Sequence, residues 1–529
     1  MVCVITRVIW VPLQRKSMTA NPAGLFQRGS PPLKFGPAVL VAKLILNLTL
    51  LVLLTACKGR DPVRRDPVRL NTQTQTAQQS VRTMGITERF ENKLAEKLLH
   101  LAFQEISNNG ASNKFAIIDI HHRKLHQSIE VTKLSASNQL HLRLLDYLWE
   151  SERSRVHISE SGAPVSYAEK LRLETSLYPD LEDFTALAYE KLSSVHADIR
   201  LLSQPDQQTP IATYFRTRRE DHENALSNTN AGRQRYLDLL VDSLLTIEKF
   251  APSLVGGDLI GLESEEFTVE GVEKSPGRIF SYRTDNKMLS IDLGDMSLLP
   301  LYETESLAIY YGMPGMYAIS SRPLLEIQSL ISIPGYSEGW AAYITANLGH
   351  LPAFQHPDTV LSHLYFEAMT ISLAIADILI HTENWSDDQA MEFVTASSPY
   401  PLKRLQRSVE FARKKPCAFS APLLARLQLE KLQEQSRQIL KQNFDLNEFH
   451  HAVLKPGPLP FIELERVVKD WTNRKKIADH RGNTAINPEA RLINSDEHKL
   501  PEIGMGIDQQ TQLPSAVCTH LCLFGRPPR

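Results

Sequence analysis

The sequence predicts a mainly α-helical protein, and three observations predict it. Apolar residues recur at three- and four-residue spacing through residues 140–149, 181–202 and 233–250, and in the last of these Tyr236, Leu239, Leu240, Leu244 and Ile247 share one helix face. Residues 361–381 are apolar nearly all round, as a helix buried on every side must be. Only one stretch changes period clearly. Residues 278–284 and 287–293 largely alternate apolar with polar around Asp285-Asn286, which reads as a β-hairpin.

The elements follow in chain order. Residues 1–40, with Pro31-Pro32 and scattered arginines, match no part of a signal peptide and read as an upstream over-extension of the reading frame. Within residues 41–57, an apolar run behind Lys43 ends in Leu54-Thr55-Ala56-Cys57. The run is too short for a membrane span and right for a signal-peptide core. Its ending resembles a bacterial lipobox, in which the cysteine, here Cys57, is lipidated and becomes the mature N-terminus. Lys58 stands where an inner-membrane retention signal usually carries Asp, so the resemblance implies a lipoprotein of the outer membrane facing the periplasm. Residues 58–85 repeat Arg-Asp-Pro-Val-Arg twice and then turn polar, which predicts a tether. From Ile86 the pattern is helical. Later helices are expected to start at the capping-box spacing Ser386 to Gln389 and at Asp445 with Glu448. A helix over 421–440, with Pro422 tolerated in its first turn, would carry Ala425, Leu429, Leu432, Ser436 and Ile439 on one stripe. Residues 472–529 lose periodicity and read as a disordered tail.

With 529 residues and 42% hydrophobic content, the chain can bury a sizeable core, and length alone allows two or three domains. Lys+Arg 58 against Asp+Glu 60 gives a net charge of -2, so no basic field recruits nucleic acid. The cysteines are Cys3, Cys57, Cys417, Cys518 and Cys522, with only Cys417 in the expected folded body, which argues against a disulfide framework. Cys518-Thr519-His520-Leu521-Cys522 lacks a second ligand pair and reads as tail rather than as a metal site.

The stretch that could carry chemistry is Tyr310-Tyr311-Gly312-Met313-Pro314-Gly315-Met316, followed by Ser337-Glu338-Gly339-Trp340. The hairpin stands just before it, where a peptide hydrolase wants a strand edge to hold an extended substrate. Asp377 with His381, Asn384-Trp385-Ser386, Phe444-Asp445-Leu446 and Gly457-Pro458-Leu459-Pro460 follow in order. Over residues 90–471 this succession resembles the bacterial family called domain of unknown function 885. The resemblance implies a single large helical domain of zincin-like character over residues 86–471, with the small β element beside an active-site cleft.

Members of that family typically show His-Glu-x-x-Pro-Gly-His and a later Glu-Gly-Trp, and look like zinc peptidases. Imidazoles and a carboxylate hold the ion, an open position takes water, and a Glu accepts the water's proton. Carried onto this chain, the first ligand is Tyr310, the base is Tyr311, the second His is Met316, and the one retained ligand is Glu338. A phenol with a pKa near ~10 is a poor ligand and base, and a thioether suits Cu(I) better than zinc. The family's Glu after Trp-Ala-x-Tyr is Thr345 here, its Pro-Gly-Gln-Ala segment is Pro416-Cys417-Ala418-Phe419, and its arginines before Asp-x-x-x-His are Thr370 and Leu373.

The resulting expectation is a lipid-anchored, non-catalytic envelope protein without a cofactor. It keeps the cleft for a peptide or protein partner. Tyr310, Tyr311, Met316, Tyr317 and Trp340 would line that cleft, with His381 beside it and Glu338 meeting a positive group such as a free amine. Two alternatives stand beside this reading. Zinc could be re-sited on His350, His356, His363, His381, His450 or His451 in an active hydrolase, or the aromatics could simply fill the space the metal left in a structural protein. Met313, Met316 and Tyr310 as a copper site read as packing instead.

Overall fold

The computed structural model describes residues 72–485, apart from 109–113, 162–164, 204–207, 221–224, 256–266, 276, 322–323, 332 and 348–355. The expected over-extension, signal peptide, lipidation site at Cys57 and distal tail with Cys518 and Cys522 lie outside the described residues, as does His350. The chain divides into two units, Met1–Thr472 and Asn473–Arg529. The described part of the second is the end of the last helix.

Three helices open the first unit and pack on one another: α1 (Thr72–Asn108), α2 (Lys114–Ser128) and α3 (Ala136–Ser161). Helix α1 begins inside the segment that reads as a tether, because its polar residues are compatible with helix although they cannot form a core. Then come α4 (Tyr167–Thr175), α5 (Leu181–Ser203), α6 (Ile211–Arg219), α7 (Asn230–Glu248) and α8 (Ala251–Val255). Strands β1 (Thr268–Val272), β2 (Phe280–Arg283) and β3 (Met288–Asp292) form one sheet in the order β1-β3-β2. The β2–β3 pair is the antiparallel hairpin expected around Asp285-Asn286, while β1 lies parallel to β3. Strand β1 was not legible, since its Thr-Val-Glu-Gly-Val carries an interior glycine and one buried side chain.

Helices resume as α9 (Thr304–Tyr311), α10 (Met316–Ser320), α11 (Pro334–Ala346), α12 (Pro357–Thr382), α13 (Asp387–Ser397), α14 (Leu402–Lys414), α15 (Ser420–Leu440), α16 (Leu446–Leu454) and α17 (Phe461–Ala485). Helix α17 runs past residue 472, where the tail was expected to begin. Helix α12 is apolar enough by composition to cross a membrane, but 72% of its most apolar window is buried by the protein itself. It packs against α5, α13, α14 and α15 and forms the axis of the unit. Start signals hold locally: Ser386 and Gln389 make both bonds of a capping box, and Asp445 accepts the Glu448 N–H at 2.9 Å. On α15 the stripe is buried through Ser436 but Ile439 is exposed, and Leu440 turns inward in its place.

The Glu-Gly-Trp segment on α11 has a packing reason. Helix α11 lies along α15 so closely that a Cβ at Gly339 would stand 2.3 Å from Cβ of Ala425. Gly339→Ala gains helix propensity, yet it must push the two helices apart, at a net cost of about 1–3 kcal/mol. Urea unfolding should show that loss, and Ala425→Gly in the same chain should restore part of it. If both single variants lose stability and the pair loses their sum, the contact is not what requires the glycine.

Candidate functional site

Strand β2 and helices α9, α11, α12, α14 and α15 enclose a cavity of about 190 Å³. Its walls combine apolar groups, among them Phe366, Phe411, Phe419 and Leu423, with the guanidinium groups of Arg278, Arg404, Arg407 and Arg426. Tyr310, Tyr311 and Glu338 also line it. These three are brought together because the end of α9 and the second turn of α11 face the same space.

Glu338 already has a cation. Arg278, just before β2, donates to Glu338 Oε1 at 2.9 Å and to the Ala418 carbonyl at 2.7 Å. Its guanidinium carbon lies 5.4 Å from the Phe411 ring centre and 5.9 Å from that of Phe419. Burial, the largest single influence, would lower the Arg278 pKa, but Glu338 together with Tyr311 and Tyr310 outweighs it and the net shift is upward. The positive group expected to come from a ligand is therefore supplied by the protein.

The two tyrosines are packed as well as cleft-lining. Their rings meet edge to face at 5.0 Å, with Phe366 6.2 Å from Tyr310 and Phe280 6.1 Å from Tyr311. The Tyr310 hydroxyl donates to the Glu338 carbonyl at 3.4 Å. Burial pushes the Tyr310 phenol well above its ordinary value, with the Glu338 charge adding to it. Burial likewise pushes Tyr311 up to about 12, with Arg278 pulling the other way. Both are neutral near pH 7, so neither is an anionic ligand nor a base.

Met316, Tyr317 and Trp340 do not line the cavity. Met316 and Tyr317 turn into the core from α10, and Tyr317 packs edge-on to Phe267 at 5.3 Å. Trp340 is wholly buried and donates from Nε1 to the Pro314 carbonyl at 2.8 Å, which ties α11 to the loop before α10. Gly315 in that loop leaves no room for a Cβ, which would stand 2.2 Å from the carbonyl oxygens of Ile309 and Tyr310. The Pro-Gly and Glu-Gly-Trp landmarks thus hold α9, α10 and α11 in register.

Asp377 and His381 also serve the scaffold. The fully buried Asp377 accepts N–H bonds from Cys417 (3.1 Å), Phe419 (3.0 Å) and Ser420 (3.2 Å), capping α15 from another helix. His381 meets the Ala412 carbonyl at 3.0 Å and stacks on Tyr167. Cys417 sits in this turn with φ of 72°, at the position where the resembled family carries glycine.

The alternative histidines make separate contacts. His363 lines the cavity with Nδ1 2.7 Å from Ser306 Oγ, and burial lowers its pKa to about 4. His356 is exposed beside Asp358, and His450 is buried 3.0 Å from the Tyr343 hydroxyl. The residues at the positions that the sequence resemblance assigns to zinc do not fit the ion: two neutral phenols, a thioether directed elsewhere and a carboxylate held by arginine.

The arginines are what sequence reasoning missed. Arg404 pairs with buried Glu303 at 3.3 Å, Arg407 with Asp292 at 2.8 Å, and Arg426 with Glu367 and Glu430. Burial raises the Glu303 carboxyl to about 7, against the pull of Arg404. The available signal was Arg426, set between Ala425 and Leu427 on α15, whereas Arg404 beside Lys403 and Arg407 between Gln406 and Ser408 look like solvated positions in sequence.

Residues 66–468 match the family described as bacterial protein of unknown function (DUF885), and the chain belongs to that family. Among solved structures, a candidate lipoprotein from Colwellia psychrerythraea is similar at 18% identity and a TM-score of 0.52, over 71% of this chain and 70% of that one. A candidate lipoprotein of unknown function from Shewanella oneidensis aligns at 13% identity and a TM-score of 0.46, over 69% of each chain. No curated protein matches the chain significantly.

Proposed function

We propose that this protein is a lipid-anchored component of the bacterial cell envelope, held in the outer membrane through Cys57, that binds a peptide in a peptidase-like cleft without hydrolysing it. The observation that carries the non-catalytic part is the Arg278–Glu338 pair: the one carboxylate left at a family metal position is bound to a guanidinium. The fold shared with the Colwellia protein, together with the lipobox-like ending at Cys57, supports the anchor. The zincin-like descent rests on the sequence resemblance.

The cleft chemistry favours an apolar side chain next to a carboxylate. Aromatic and aliphatic groups make the floor, while Arg278 and Arg407 keep 30% and 26% of their side chains exposed. Strand β2, an edge of its sheet, runs from the rim and offers main-chain bonds to an extended segment.

The full chain without its lipid should be titrated with short apolar peptides bearing free or amidated C-termini, with binding followed by calorimetry. Free C-termini are expected to bind at least about tenfold more tightly, a difference of about 1.4 kcal/mol. Thr370→Phe, which fills the cavity, should abolish binding. Absence of binding by any peptide would leave the purely structural reading. Stoichiometric zinc together with peptide turnover that a chelator stops would overturn the non-catalytic one.

A further inference from the structure

Away from the cleft, α2 and α3 bring three metal-ligating side chains to one point. His122 and His126 are four residues apart on α2, so their rings rise from the same face, with centroids 4.6 Å apart. Asp146 on α3 faces them. Its Oδ1 lies 3.1 Å from His122 Nε2 and 2.6 Å from His126 Nε2, and one ligand atom from each of the three residues falls within 4.8 Å of the others. Among the described residues this is the one such group of His, Cys, Asp or Glu side chains.

A carboxylate between two imidazoles can be no more than a hydrogen-bonded triad, so the surroundings decide. Around a tetrahedral ion with bonds of about 2.0–2.1 Å, neighbouring ligand atoms stand about 3.3 Å apart. The observed N–O separations of 3.1 and 2.6 Å reach that spacing if Asp146 Oδ1 backs away by about 0.2 Å from His122 and about 0.7 Å from His126, within the freedom of a partly exposed carboxylate. The His122 ring is held in place, stacked flat on Trp149 at 4.5 Å with an interplanar angle of 5°. Trp149 is itself held by Nε1 donating to Asp119 Oδ1 at 3.0 Å. This stack fixes the plane of the His122 ring before any ion arrives.

Side-chain exposures of 17% for His122 and 39% for both His126 and Asp146 leave a fourth direction open to solvent.

We propose that His122, His126 and Asp146 form a binding site for a first-row divalent transition-metal ion, with Zn2+ as the simplest occupant and water as the fourth ligand. Two imidazoles and a carboxylate suit Zn2+, Cu2+, Ni2+ or Co2+, whereas Mg2+ and Ca2+ favour all-oxygen sets and Cu(I) favours sulfur. None of the three residues lines the cleft. The site is therefore independent of the metal positions vacated around Glu338 and of the peptide-binding reading.

The test is zinc stoichiometry and affinity for the untagged full chain, stripped with a chelator, dialysed and titrated with ZnCl2. One zinc per chain above any background is expected at this site, with a rise in melting temperature on loading. His126→Ala and Asp146→Ala should each weaken that site by more than the about 10–100-fold that follows loss of a supporting group, and both positions are exposed enough for the variants to fold. Glu338→Gln should leave it unchanged. Unaltered affinity and stoichiometry in both site variants overturns the proposal, as does zinc lost in Glu338→Gln but kept in His126→Ala. Circular dichroism of each zinc-free variant, matching the zinc-free parent, assigns any loss to the ligand rather than to unfolding.

Discussion

Asp377→Ala is expected to cost about 3–5 kcal/mol of stability, because it leaves three N–H groups at the start of α15 without their acceptor in a buried site. The sequence offers no substitute: Phe419, at the cap position, has no side-chain oxygen. Asp377→Asn retains one acceptor oxygen and should lose less, since Oδ2 takes two of the bonds and Oδ1 the third. The damage should reach the cleft. Ala418 and Phe419 stand in the same turn, one holding Arg278 through its carbonyl and the other flanking its guanidinium. Urea unfolding measures the stability loss, and hydrogen exchange at the amides of Cys417, Phe419 and Ser420 reports whether the turn opens locally. A loss below about 1 kcal/mol with those amides still protected would mean that the cap contributes little.

This cap is one of several scaffold roles filled by the landmarks that the chain shares with its family. Asp377, Gly339, Gly315 and Trp340 each answer a packing or hydrogen-bonding need that exists whether or not a metal is bound. Tyr310 and Tyr311 are accommodated as an aromatic pair and Met316 as a buried thioether. The helical architecture was legible because the stripes of α5 and α7, the all-round apolar α12 and the caps of α13 and α16 are local signals. The β2–β3 hairpin was legible for the same reason. Strand β1, the arginine cluster and the His122–His126–Asp146 group depend on contacts between distant segments. Even so, His122 and His126 stood in the sequence at one-turn spacing, a pattern that asks only for a helix.

Charge placement was the least legible property. Glu338 reads as a free carboxylate in sequence, and its partner Arg278 lies far upstream at the foot of the hairpin. The hairpin brings that arginine to the cleft, where Phe411 and Phe419 flank its guanidinium. The β element therefore supplies the group that neutralises Glu338.

Acid should unfold this protein through its core histidine. His450 on α16 is 1% exposed, with Trp340 edge-on at 5.3 Å and the Tyr343 hydroxyl at Nε2. Its Nδ1 meets the Leu254 carbonyl. Burial is the main cause of a pKa lowered to about 4 from the ordinary 6.5, with the Leu254 carbonyl pulling the other way. Because the folded value is depressed, the unfolded chain takes up the proton first as pH falls. The contribution of His450 is thus fully present above about pH 6.5 and is lost as pH falls toward 4, by about 3 kcal/mol in all. His363, also held at about 4, acts in the same window, while Glu303, raised to about 7, acts in the opposite sense. A comparison of variants separates these contributions. His450→Gln is expected to be less stable than the parent at pH 7, where it loses a fitted imidazole, but to decline less steeply between pH 6.5 and 4. Urea unfolding at closely spaced pH values measures both slopes. Parallel curves would show that protonation at this site is not what the acid transition reports.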